Sequence, residues 1–219
     1  MQKEILNYLD TLKNNVKHQI SMKLTVASAH AAFKDYFSGT KSTAFHAYYS
    51  EIISNKEKFL SDPDFFREFK QQYSLQGVDG DYLATLEENK SKILQLIERD
   101  EISNLYFEFF ANAPIRHGEE IRQKSLGSFF AKLVHTFAPD KFCALDNPIK
   151  DYFGLGRESF YIAFIVISQA YKEWSNENSD IMGKIKMELE SFAKDIPPNF
   201  DMTDLKLLDL IFWHQANPK

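Results

Sequence analysis

A chain of 219 residues that is 44% hydrophobic and 15% aromatic carries enough apolar surface for a continuous core, which excludes an intrinsically disordered protein. Its formal net charge of -5 argues against indiscriminate attraction to nucleic acid. The lone cysteine, Cys143, excludes an intrachain disulfide and a cysteine-rich zinc site.

Apolar residues recur at three- and four-residue intervals from the start, as in Ile5, Tyr8, Leu9, Leu12 and Val16, and this period predicts helix. The first nineteen residues carry charges throughout and hold no apolar h-region, so no targeting segment is expected. In chain order the pattern predicts helices over Gln2 to Lys17, Ser21 to Phe37, Lys41 to Leu60, Pro63 to Tyr73, Asp81 to Glu98 and Glu101 to Ala111. Turn chemistry at Ser38-Gly39, Asp62-Pro63 and Gln76 to Gly80 separates them. Further helices are expected over His117 to Gln123, Ser128 to Phe137, Asn147 to Phe153, Glu158 to Trp174, Asp180 to Lys194 and Met202 to Gln215. Asp195 to Pro198 reads as a rigid connection, with Asp201 or Thr203 capping the last helix. No run alternates clearly with period two, and the most apolar stretch, Phe160 to Tyr171, is too short to span a bilayer. The expectation is an all-α fold forming a single compact multi-helix domain over 1–219, without a membrane segment and cytoplasmic. N-terminal helices fill 1–112, a distinct segment fills 113–157, and C-terminal helices fill 158–219.

That central segment breaks the acidic average, with seven basic residues against five acidic ones. Arg116, His117, Arg122 and Lys124, followed by Ser125, are candidates to grip a phosphate backbone, although Glu119 and Glu120 interrupt them. Arg157, after Gly154 and Gly156, is a further candidate phosphate contact, but these glycines form neither a dinucleotide fingerprint nor a P-loop. The six histidines build no HExxH array, so neither a metal nor a cofactor is expected.

From Ser128 the chain reads SFFAKLVHTFAPDKFCALDNPIKDYFGLG: a helix, a proline-marked turn, an apolar stretch, an aspartate and a second short helix. This order resembles the core of the helix-hairpin-helix DNA glycosylase superfamily, and in particular bacterial relatives with a Lys and a His on one helix, then Pro, Phe and Asp. Here the pattern falls on Lys132, His135, Pro139, Phe142 and Asp146, and the closing DLKLLDLIFW is similar to the tail of such relatives. The superfamily hairpin has two glycines, whereas KSLGS keeps only Gly127, which implies a degenerate hairpin. Counting back from Asp146, the place of the Schiff-base lysine of bifunctional members falls near Gly127 or Ser128.

The resemblance therefore implies a monofunctional N-glycosylase that hydrolyses the bond to a damaged or modified base, phage-modified bases included. Asp146 is the implied catalytic carboxylate, and Lys132 is the lysine that a lyase route would use. His135 and Asn147 join Lys124, Ser125, Arg116, His117, Arg122 and Arg157 as implied contacts to a double-stranded DNA with a flipped base. The chemistry is coherent, because positive charge builds on the sugar as the base departs and a fixed carboxylate stabilises it.

Each of these residues also has a plain structural reading. Asp146 before Asn-Pro is an ordinary helix N-cap, worth about 1 kcal/mol. Lys132 and His135 share a helix face, as a solvated lysine and a core histidine would. The competing function is a noncatalytic helical interaction or regulatory protein that has kept the fold, with Lys132 and Asp146 as a structural pair and a protein as its partner.

Overall fold

Polar caps decide where the helical period stops. In the computed structural model, which describes residues 2–38, 40–75, 78–192 and 202–217, α1 (Gln2–Lys23) runs six residues beyond its expected end. It stops at Thr25, whose hydroxyl accepts from Ser28 N while Ser28 Oγ accepts from Thr25 N, a capping box that starts α2 (Val26–Phe37). Asn55 divides the next expected helix into α3 (Thr40–Ser54) and α4 (Lys56–Ser61) by accepting from Lys58 N at 3.2 Å. After α5 (Phe65–Gln72), a turn at Asn89 likewise separates α6 (Gly80–Glu88) from α7 (Lys90–Glu98). The short α8 (Ile102–Leu105) continues into a π-helical turn over Tyr106–Phe110.

The helix expected over His117 to Gln123 is not there. Strands β1 (Ala113–His117) and β2 (Glu120–Lys124) pair antiparallel, with Ile115 opposite Arg122 and His117 opposite Glu120. Gly118, the first of the two turn residues, has φ +66°, which a two-residue hairpin with glycine first requires. Pro114 and Gly118 lower helix propensity in this stretch, and each strand is too short for period two to show. The hairpin is tied back to the helical body where Asp79, the N-cap of α6, also accepts from Arg116 N. It is the one sheet among the described residues.

Chain elements then follow the expected order: α9 (Gly127–Phe137), α10 (Asn147–Tyr152), α11 (Phe160–Glu177), α12 (Ser179–Glu190) and α13 (Asp204–Ala216). Thr203 caps α13 by accepting from Lys206 N, whereas Asp195 to Pro198, Lys194 and Asp201 lie outside the described residues.

Two helices carry long buried runs. In α9, Phe129, Phe130, Ala131, Leu133, Val134, His135, Thr136 and Phe137 are all enclosed. Full burial of each large apolar side chain contributes about 1.5–3 kcal/mol. The rings of Phe110, Phe129 and Phe66 form one continuous cluster with Phe69. A Cβ on Gly127 would stand 2.3 Å from Phe160 Cγ, so the glycine lets α9 begin directly against the first ring of α11. In α13, every residue from Leu205 to Phe212 is buried. No helix among the described residues is long and apolar enough to cross a membrane.

Candidate active site

A buried helix has no free face, so any charge it carries points at something built for it. In α9 the exceptions to enclosure are Ser128 and Lys132, four apart on one stripe and joined by Lys132 Nζ donating to Ser128 Oγ at 3.2 Å. In α13 the buried charges are Lys206 and Asp209, three apart, 8% and 5% exposed. Lys132, Lys206 and Asp209 line one cavity of about 400 Å³, together with Asp146, Tyr36, Tyr73 and Trp213.

Asp146 occupies the N-cap position of α10 with extended backbone angles, but its side chain makes no capping hydrogen bond. Its Oδ2 lies 3.8 Å from Lys132 Nζ, and its Oδ1 is buried without a hydrogen-bond partner. The carboxylate is thus turned away from the amides that an N-cap would serve. Separation at 3.8 Å leaves the lysine and aspartate as charge neighbours, longer than a normal hydrogen bond.

The other two charges complete the group. Asp209 Oδ1 is likewise buried and unpartnered, and its carboxyl is pushed up to about 6, first by burial and then by the nearby Asp146, while Lys206, Lys132 and the Ala144 amide pull it down. Burial also lowers the Lys206 amine, with Lys132 lowering it further and Asp209 opposing. Lys206 Nζ rests 5.6 Å from the Phe45 ring centroid and 5.5 Å from that of Tyr49, and forms no ion pair among the described residues. Burial lowers the Lys132 amine as well, against the upward pull of Asp146 and Asp209. The sequence singled out Asp146 and Lys132 and missed Lys206 and Asp209. The available signal was two charges inside LKLLDLIF, a run otherwise wholly apolar.

The loop that carries Asp146 is fastened from behind. His135 Nδ1–H donates to the Phe142 carbonyl at 2.7 Å, which leaves Nε2 to accept from the Tyr49 hydroxyl at 2.8 Å. Burial holds this imidazole down to about 3, so it stays neutral. His135 is fully enclosed, lines neither this cavity nor the one beside it, and anchors the loop. Cys143 N donates to Ser168 Oγ, and Thr203 Oγ1 donates to the Pro139 carbonyl, which ties the same loop to α11 and α13.

A second depression of about 460 Å³ meets the first at Lys132 and Ser74. Lys124, Ser125, Ser128, Asn147 and Lys150 line it, so three of the expected contacts come together there. Arg116 and Arg122 lie elsewhere, with Lys124 around a separate hollow of about 340 Å³, and each is exposed and paired, Arg116 with Asp81 and Arg122 with Glu120. Arg157 sits exposed in the turn before α11 and lines none of these hollows. The side chain of His117 lies outside the described residues. Among the described residues no group of three His, Cys, Asp or Glu side chains is placed to hold a metal ion.

No family model matches the chain, and neither the curated proteins nor the solved structures contain one that is significantly similar to it.

Proposed function

We propose that this protein hydrolyses the N-glycosidic bond of a damaged or modified base in double-stranded DNA, with Asp146 as the carboxylate that stabilises the sugar cation, and that its helical body is a divergent helix-hairpin-helix glycosylase fold. The observation that carries the reading is the Asp146 side chain, which lines the cavity from a helix start without capping it and stands 3.8 Å from Lys132 Nζ. A cavity of this size is in the range of small-molecule sites, and its aromatic walls, Tyr36, Tyr73 and Trp213, suit a flat base taken out of the stack. The adjoining depression, with Lys124 and Lys150, suits the phosphate that flanks such a base. An intracellular role in repair, or in defence against modified phage DNA, follows from that activity.

Base release is measured on a panel of duplex oligonucleotides, each with one modified base, by cleavage at the abasic site. Wild-type protein releases at least one base, and Asp146→Asn slows that release by about 100-fold or more. Near wild-type release by the variant removes the mechanism, and absence of DNA binding at low salt removes the class.

A further inference from the structure

Resting on the glycosylase reading, we propose that Asp209 is the second working carboxyl of the cavity, the proton donor to the departing base, while Asp146 remains the anion that faces the sugar. Two carboxyls line the cavity from different elements, α13 and the loop before α10, and in each one oxygen is buried without a hydrogen-bond partner. A buried acceptor left open costs about 1–3 kcal/mol, and here that cost falls on two carboxyls that line one hollow. Their surroundings divide the roles. Asp146 has Lys132 at 3.8 Å and is half-buried, whereas Asp209 is buried and forms no ion pair among the described residues.

The charged groups facing Asp209 are Lys206 on its own helix, Lys132 on α9 and Asp146 on the loop. The neutral titratable groups around it are Tyr49 on α3, Tyr73 after α5, Tyr171 on α11 and Cys143 on the loop, and burial pushes all four upward. None of the four supplies a proton near neutral pH as readily as a carboxyl at about 6. Two carboxyls whose environments differ are how one site keeps an acid and an anion together.

The step balances. The carbon–nitrogen bond breaks with its electron pair passing to the base nitrogen, which takes the proton of Asp209. Water then forms the new carbon–oxygen bond, its proton goes to Asp146, and exchange with solvent restores both carboxyls.

Two measurements test this. Carbon-detected titration of the carboxyl groups in the full chain is expected to show one carboxyl near pH 6 that is missing in Asp209→Asn and moves down in Asp146→Asn. Absence of any such carboxyl in the wild type overturns the donor role without reference to catalysis. The second uses duplexes carrying hypoxanthine, a neutral base that needs a proton to leave, or 7-methylguanine, already cationic. Asp209→Asn is expected to lose about 100-fold or more on hypoxanthine and to keep release of 7-methylguanine within a few-fold, while Asp146→Asn loses both. Equal loss on both bases overturns the donor role and leaves the glycosylase reading standing. Failure of the wild type to release either base overturns the reading for them, and the donor role with it.

Discussion

Lys90 and Lys206 are buried to nearly the same degree, 6% and 8% exposed, and each ammonium stands over two aromatic rings. Their partners differ. Lys90, at the start of α7, donates to the Asp62 carbonyl and pairs with Glu87, whose other oxygen accepts from Phe66 N. Lys206 forms no ion pair among the described residues and looks into a cavity with Lys132, Asp146 and Asp209. A buried charge whose partners are supplied by its own chain joins elements together, here α5, α6, α7 and the C-cap of α4. One whose partners are withheld destabilises the fold, and is retained where a ligand completes it.

The largest expected effect concerns a third buried group, His135, which is satisfied only when neutral. Its folded value of about 3 lies below the unfolded value near 6.5, so its contribution is present above pH 6.5 and is lost as pH falls toward 3, by up to about 5 kcal/mol. Asp209 acts in the opposite sense between about 6 and 3.8, because a raised carboxyl favours the folded state as it takes up its proton, so the net acid loss is smaller in that window. In urea titrations across pH, His135→Asn, which can still donate to Phe142, is expected to flatten the acid limb. An unchanged limb assigns the acid sensitivity elsewhere.

The lysines come next. Lys90→Met leaves Glu87 without its cation in a crowded junction and is expected to cost about 3–5 kcal/mol in the same titrations. The double replacement Lys206→Met with Asp209→Leu exchanges charges for apolar volume against Phe45 and Tyr49, and is expected to change stability from nothing to a gain of about 4 kcal/mol while slowing release of hypoxanthine by about 100-fold or more. Equal destabilisation at the two sites would erase the contrast between them. At the small end, Arg122→Ala on the exposed hairpin is expected to shift stability by no more than about 0.5 kcal/mol. Lys124→Ala is expected to weaken binding of all duplexes alike and to reduce the slope of log affinity against log salt by about 1.

Helical period made most of the body legible, since Ile5 to Val16 and Phe129 to Phe137 repeat on a face. The starts of α9 and α10 lay within a residue of their expected places, because Gly127 and Asp146-Asn147-Pro148 are strong local signals. The breaks at Thr25, Asn55 and Asn89 were hidden because a polar residue inside a helical pattern reads equally as surface. The hairpin was missed for a different reason: Ile115 and Ile121 alone cannot establish an alternation. Within the cavity, Lys132 and Asp146 were legible through their spacing in a resembling segment, and the fold brings them to 3.8 Å. Lys206 and Asp209 were not, since their meeting with Asp146 depends on how α13 packs beside α10, more than fifty residues along the chain.

Single-turnover release of a modified base from duplex DNA by wild-type protein and by Asp146→Asn, with both shown to be folded and to bind the duplex, bears most directly on the cavity as a catalytic site. The expected result is release by the wild type and a loss of about 100-fold or more in the variant. Release at near wild-type rate by Asp146→Asn contradicts it.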